Sequence, residues 1–73
     1  MITTTQCRAA RALLKWKQTD LADRCAISLT TIRNFESEAR TPYKSTLKIL
    51  RETFEAHGIE FIDDDYIGVK LKK

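Results

Sequence analysis

The chain has 73 residues, which leaves room for one small domain. Its hydrophobic fraction of 42% and charged fraction of 32% are typical of a folded soluble domain and exclude a disordered one. With 2 Gly and 1 Pro, the chain has too few turn residues for an all-β fold.

The formal net charge of +3 comes from the first part of the chain, because residues 1–58 hold ten Lys/Arg against six Asp/Glu. This balance suits a polyanionic partner. No apolar run approaches the ~20 residues that span a bilayer, and no leader pattern is present, so we expect a cytoplasmic protein with no membrane partner. Cys7 and Cys25 are predicted to be reduced core residues.

The first predicted helix begins near Thr5 and ends by Lys15, with Thr4 or Thr5 as its N-cap. Its apolar residues recur at helical spacing, which indicates one buried face formed by Cys7, Ala10 and Leu14. Trp16 follows, and we interpret it as a core residue wedged between the first and fourth helices.

The second helix is predicted over residues 18–25, and Ala26-Ile27 then interrupts the pattern. Ser28 is a good N-cap for a third helix, from Leu29 to about Ser37. We expect Ile32 and Phe35 to face inward, with Thr31 or Glu36 near the edge.

Residues 37–42 are predicted to form a loop before the fourth helix. Thr41-Pro42 can cap and open this helix, or the helix proper begins after Ser45. Gly58 is placed to end it as the C′ residue. Helical spacing predicts a core stripe of Tyr43, Leu47, Leu50 and Phe54.

After Gly58, two short strands are predicted at 59–62 and 67–71, with the turn at 63–66. The predicted fold class is therefore mainly α: four helices, then a short C-terminal β-hairpin. We assign residues 1–58 to the helical domain and residues 59–73 to a hairpin extension of that same domain.

The segment from Gln18 to Glu36 contains two short helices joined by a tight turn, each with apolar residues on one side only. The second of these helices begins with a cap and exposes small polar and basic groups on its other side. This combination is the physical pattern of a helix-turn-helix, in which one helix crosses the DNA backbone and the next enters the major groove.

The sequence resembles the lambda-repressor/Cro-like, or XRE-type, helix-turn-helix proteins. The resemblance covers residues 5–61 and depends on combined spacing. The matching residues are Arg8, Arg11, Gln18, Leu21-Ala22, Ile27-Ser28, Thr31-Ile32, Phe35-Glu36, Thr41-Pro42 and Thr46-Leu47. Two positions depart from the family pattern, since Ala26 and Glu38 stand where these proteins often have Gly.

The resemblance implies that the helix over residues 29–37 reads the major groove. Its base-reading residues would be Leu29, Thr30, Arg33 and Asn34. Asn suits adenine, Arg suits guanine or a phosphate, and Leu and Thr can touch thymine methyls. For Leu29, packing against the second helix is the alternative.

The resemblance also implies a set of DNA phosphate contacts, formed by Gln18, Arg11, Ser28, Arg40, Thr41 and Lys44. A merely solubilising role remains the alternative for Arg40, Thr41 and Lys44. The same analogy predicts a partly buried ion pair between Arg11 and Glu36.

The predicted function is a sequence-specific, double-stranded DNA-binding regulator, a repressor that binds a palindromic operator as a homodimer. The dimer surface is predicted to be either the hairpin edge or a second stripe on the fourth helix, formed by Ile49, Thr53 and Ala56. A protein-interaction module such as an antitoxin or adaptor is the alternative, and a nonspecific architectural DNA binder is the third reading. We expect no enzyme activity, cofactor or metal, because no catalytic or metal-ligand motif is present.

Overall fold

The computed structural model describes residues 1–73 and contains four helices followed by two strands. The elements are α1 (Thr4–Leu14), α2 (Gln18–Cys25), α3 (Leu29–Glu36), α4 (Lys44–Ala56), β1 (Ile59–Asp63) and β2 (Ile67–Leu71). This architecture confirms the predicted mainly α fold class with its C-terminal hairpin. None of the helices has the length and apolar character that crossing a membrane requires.

The N-cap of α1 is Thr3, so the prediction of Thr4 or Thr5 was wrong. Gln6 explains the difference, because a capping box needs Gln or Glu three residues after the cap. The Gln6 amide N–H donates to Thr3 Oγ1 at 3.1 Å, and the Thr3 N–H donates to Gln6 Oε1 at 3.0 Å. The buried Gln6 side chain also donates to the carbonyl oxygens of Ile62 and Gly68, both at 3.1 Å. Gln6 therefore ties the start of α1 to the hairpin.

The turns between the first three helices use left-handed backbone. Lys15 ends α1 with φ 60°, and Ala26 ends α2 with φ 56°. Ser28 then caps α3 as predicted, with its Oγ accepting the Thr31 N–H at 3.1 Å. The predicted bounds of α2 are confirmed, while α3 ends at Glu36, one residue earlier than expected, with Ser37 as its C-cap.

The start of α4 differs from both sequence predictions. The helix begins at Lys44 with Tyr43 as its N-cap, so Pro42 lies before the helix and Ser45 lies inside it. Tyr43 was expected in the core stripe, and this was wrong, because its side chain is 84% exposed. A cap residue has extended backbone, so its side chain does not continue the helical stripe. The other three residues of that stripe, Leu47, Leu50 and Phe54, are buried as predicted.

The core lies among the helices and is closed by one face of the hairpin. Antiparallel pairing places Ile59 opposite Leu71 and Phe61 opposite Val69. These four residues are buried or packed against the core, so they form the inner face of the two-stranded sheet. Gly58, which joins α4 to β1, has φ +94° and acts as the predicted C′ residue.

Trp16 packs against α4, as the sequence predicted, and it is also covered from α2. Its ring stacks on Phe54 with centroids 5.9 Å apart and meets His57 edge-on at 4.8 Å. The Arg24 guanidinium lies 4.8 Å from the centre of the indole ring. The tryptophan therefore joins α2 to α4 in addition to filling the space beside α1.

The two positions where the sequence lacks the family's glycine both have left-handed backbone, with φ 56° at Ala26 and φ 63° at Glu38. A residue with a side chain costs about 1–2 kcal/mol more than glycine in this backbone conformation. Replacing it with glycine also raises the conformational entropy of the unfolded chain, which offsets part of the gain in stability. We expect Ala26→Gly and Glu38→Gly each to raise the free energy of unfolding by about 0.5–1 kcal/mol in urea titrations. The matched control is Ala12→Gly on the exposed side of α1, which should instead lower it by about 1 kcal/mol. A loss of stability in the two turn variants would contradict the strain argument.

Candidate functional site

The outer surface of α3 is set by the residues that anchor its inner surface. Ile32 and Phe35 are buried in the core, so the side chains between them point outward. Thr30 and Arg33 are exposed, and neither side chain is hydrogen-bonded within the chain. Ser28 differs, because its Oγ caps the helix and lies 2.8 Å from Thr31 Oγ1. The outer face of α3 therefore presents a threonine and an arginine that are free to bind a partner.

The other two predicted base-reading residues are half-buried. Leu29 packs against the core, which is the alternative contact that the sequence left open, while part of its surface stays accessible. Asn34 lines a recess together with Thr30, Arg40 and Pro42, and its side-chain amide makes no intramolecular hydrogen bond. Thr30, Arg33 and Asn34 thus form the accessible polar part of the predicted set.

A polar cleft lies between α3 and the segment that leads to α4. Its lining consists of Thr31, Arg40, Thr41, Pro42, Tyr43 and Thr46. The backbone of this segment is fixed by the Asn34 carbonyl oxygen, which accepts the N–H groups of Ala39 at 2.9 Å and Arg40 at 3.2 Å. The cleft therefore adjoins the outer face of α3 and has a defined shape.

Glu36 is the centre of a buried network that connects the first three helices. The sequence left Thr31 or Glu36 as the residue near the edge of α3, and the structure excludes Glu36, which is only 4% exposed, whereas Thr31 is half-buried. Arg11 donates from Nε to Oε2 at 2.7 Å and from Nη2 to Oε1 at 2.6 Å, which confirms the predicted ion pair. Gln18 Nε2 donates to Oε1 at 3.0 Å, and the Cys7 thiol donates to Oε2 at 3.2 Å. One carboxylate therefore holds α1 and α2 against α3.

These contacts keep the network charged. Burial alone would raise the pKa of Glu36, but the hydrogen bonds from Arg11, Gln18 and Cys7 outweigh it and lower that pKa below its ordinary value of 4.5. The hydrogen bond to Glu36 raises the pKa of Arg11. Burial and then the neighbouring carboxylate raise the pKa of the Cys7 thiol far above its usual range. The network thus consists of a carboxylate, a guanidinium and a neutral thiol.

The structure separates the predicted phosphate-binding residues into three places. Arg11 and Gln18 meet at Glu36, and Arg11 Nη1 also donates to the Trp16 carbonyl oxygen at 3.1 Å. Arg40 and Thr41 are exposed and line the polar cleft. Lys44 is exposed on the first turn of α4 and borders a different cleft with Met1 and Ile2. Ser28, the remaining residue of the set, is the N-cap of α3.

Sequence reasoning missed four residues of the polar cleft, namely Thr31, Pro42, Tyr43 and Thr46. Tyr43 was assigned to the core because it fits the helical spacing of α4. Pro42 led to this assignment. Because proline suits the first position of a helix, we expected α4 to begin there, which placed Tyr43 inside the helix. With the helix starting at Lys44, the exposed phenol instead lies at the edge of this cleft.

A model of the helix-turn-helix family matches residues 8–60 of the chain. The match begins inside α1, includes α2 to α4 and ends in β1. No curated protein matches the chain in sequence.

Proposed function

The chain belongs to the lambda-repressor/Cro-like, XRE-type helix-turn-helix family of DNA-binding regulators, and from that premise we propose that it is a repressor that binds a palindromic operator as a homodimer. The observation that carries the proposal is the outer face of α3, where the side chains of Thr30, Arg33 and Asn34 have no partner within the chain. A duplex bound across this face would exclude other proteins from the same base pairs, which represses transcription where the operator overlaps a promoter.

The proposed base contacts follow from the chemistry of these side chains. In the major groove, Asn34 pairs its amide with N6 and N7 of adenine, and Arg33 pairs with O6 and N7 of guanine. Thr30 lies one helical turn before Asn34 and contacts a thymine methyl or a base edge. The accessible part of Leu29 adds an apolar contact at the start of the helix.

The proposed phosphate contacts flank this helix. Gln18 lies at the first position of α2, where the free N–H groups of a helix N-terminus attract a phosphate and Glu36 fixes the side-chain amide. Arg11 uses three of its five N–H groups inside the protein and keeps two for the same phosphate. Ser28 sets the start of α3, while Arg40, Thr41 and Lys44 bind the backbone beyond its other end.

Dimerisation follows from the small size of one reading surface. A single recognition helix contacts roughly 3–5 base pairs, and two-fold symmetry places a second helix ~34 Å away, one turn of DNA along. Doubling the contacted sequence gives the discrimination that a genome requires.

Selection from random double-stranded oligonucleotides with the purified full chain tests this proposal. The expected result is an inverted repeat whose half-site centres lie about 10 base pairs apart. Its affinity should fall steeply with salt because phosphate contacts release counterions. The same selection with an Arg33→Ala/Asn34→Ala variant is the control and should recover no motif. Salt-dependent binding without any preferred sequence would overturn the repressor proposal in favour of an architectural DNA binder.

The hairpin favours a second candidate, a protein-interaction module such as an antitoxin or adaptor. Tyr66 is 78% exposed and Ile67 is 64% exposed, and apolar residues in such positions often mark a docking surface. If this candidate is correct, Arg33→Ala and Asn34→Ala should leave DNA affinity unchanged, while substitutions at Tyr66 or Ile67 should abolish binding of the other protein.

A further inference from the structure

We propose that two copies of this chain associate by exchanging their hairpin ends. The segment 63–67 of each copy, termed the tip, docks into a cleft at the start of α4 of the other copy. This inference rests on the homodimer of the proposed function and names the surface that forms it.

The cleft has an apolar floor and a basic rim. It has a volume of about 240 Å³, and it is lined by Met1, Ile2, Leu47, Lys44, Lys48 and Arg51. Ile2 and Leu47 belong to the core and form its floor, whereas Met1 is 69% exposed. An apolar recess surrounded by cations suits an occupant that combines apolar side chains with negative charge.

The tip has both of these properties. It contains three consecutive aspartates followed by Tyr66 and Ile67, the two most exposed large apolar residues of the hairpin. The turn is held in shape, because the Tyr66 N–H donates to Asp64 Oδ1 at 2.9 Å and the Asp64 N–H donates to the Tyr66 carbonyl oxygen at 3.2 Å. A preformed turn loses little conformational freedom when it docks.

The charges of the tip, and two of the three cations of the cleft, have no ion-pair partner within one copy, whereas the third cation, Arg51, pairs with Glu55. The ion pairs of the molecule are Arg11–Glu36, Arg51–Glu55 and Lys70–Glu60. None of the tip aspartates takes part in them, and neither do Lys44 and Lys48 of the cleft. The two surfaces are therefore complementary in sign, and both remain available for a second molecule.

Two contacts link the hairpin that carries the tip to the helices that carry the cleft. Gln6, four residues after Ile2, holds the carbonyl oxygens of Ile62 and Gly68 next to the tip. On the other side, the Arg51 guanidinium lies 4.9 Å from the centre of the Phe61 ring, two residues before the tip begins. In the proposed dimer, a two-fold axis beside the hairpin would bring each tip to the other copy's cleft, as an isologous interface requires.

Charge reversal provides the test. The acidic-cleft variant carries Lys48→Glu, which leaves Lys44 in place for its proposed phosphate contact, and the basic-tip variant carries Asp63→Lys and Asp65→Lys. Sedimentation equilibrium of the full chain without DNA should show reversible wild-type dimers and at least about tenfold weaker self-association of each variant. An equimolar mixture of the two variants should recover dimers, because both reciprocal contacts again pair opposite charges. Monomeric wild type at every concentration, or failure of the mixture to recover, would overturn the proposal.

Matched variants separate this surface from the others. Tyr66→Ser should weaken the dimer at least about tenfold by removing an aromatic anchor. Lys73→Glu and Asp23→Lys change the same charges at exposed positions elsewhere and should leave the dimer unchanged. Ile49→Ser should also have no effect, and dissociation by this variant would assign the interface to the stripe on α4 instead. Circular dichroism and urea unfolding verify that each variant is folded.

Binding to DNA that contains a single half-site distinguishes a failure of the proposed dimer interface from a failure of the proposed function. The basic-tip variant should retain half-site affinity or bind more tightly, because its changes lie outside α3 and add positive charge. Arg33→Ala should lose half-site affinity while its self-association stays as in the wild type. The two proposals therefore fail in different measurements.

Discussion

Replacing Glu36 with glutamine is expected to lower the free energy of unfolding by about 3 kcal/mol. The substitution leaves the Arg11 guanidinium, whose side chain is only 19% exposed, without the carboxylate that accepts two of its hydrogen bonds. It also places an amide N–H₂ where Gln18 or Cys7 now donates. Since small domains are stabilised by only about 5–15 kcal/mol, urea unfolding should resolve this loss clearly.

The control for this substitution is Glu55→Gln on α4. Glu55 pairs with Arg51 at 3.2 Å, but both side chains are more than a third exposed, so the change should cost less than about 0.5 kcal/mol. If Glu36→Gln and Glu55→Gln lowered the free energy of unfolding equally, the burial of Glu36 would not strengthen its contribution to stability.

The stability that Glu36 contributes should also depend on pH. Because its folded pKa lies below the ordinary 4.5, the contribution is complete above about pH 4.5 and is lost as the pH falls through the folded pKa. The difference in unfolding free energy between wild type and Glu36→Gln should therefore shrink below pH 4.5. A difference that stays constant over this acidic range would contradict an ionised Glu36.

The double substitution Arg33→Ala/Asn34→Ala is expected to reduce affinity for the selected operator by about 10²–10⁴-fold. Each side chain is proposed to make a bidentate contact with one base, worth about 1–3 kcal/mol of discrimination. Both residues lie on the outer side of α3, so the fold should be preserved. Titration of a labelled operator at fixed salt measures the loss, and single variants should relax preference at one base position each.

Arg40→Ala is the comparison for this prediction. It should weaken binding to all sequences alike and reduce the slope of log affinity against log salt by about one, as expected of a phosphate contact. Lys73→Ala should change neither property. If Arg33→Ala/Asn34→Ala behaved like Lys73→Ala, α3 would not be the reading surface.

Local signals in the sequence predicted most of the fold. The interruption at Ala26-Ile27 and the cap at Ser28 predicted the end of α2 and the start of α3 correctly, and the end of α3 was predicted to within one residue. Gly58 correctly marked the change from helix to hairpin. These features depend on residues that are near each other in the chain, which is why spacing and capping rules identify them.

The errors arose where a residue fits two local patterns. Tyr43 fits the helical spacing of α4, but it precedes the first helical residue and points outward. At α1, three successive threonines are all acceptable caps, and the side chain of Gln6 decides among them. At α1, a single neighbouring residue therefore selects the cap among three equivalent candidates.

The candidate site was only partly accessible from the sequence. Buried Ile32 and Phe35 set the outward face of α3, so its polar residues were predicted directly. The burial of Glu36 depends on Arg11 and Cys7, which are 25 and 29 residues away in the chain. The left-handed backbone at Glu38 was indicated only through the resemblance, because the related proteins often have Gly at that position. Long-range packing of the kind that buries Glu36 has no local signature.

The reactivity of the Cys7 thiol can be used to measure local unfolding of α1. Cys7 is fully buried and donates to Glu36, so its native form is neither accessible to an alkylating reagent nor ionised. Alkylation at this position therefore requires α1 to separate from α3. Under native conditions, the rate of Cys7 modification should follow the population of molecules in which the first helix has detached, without any added label.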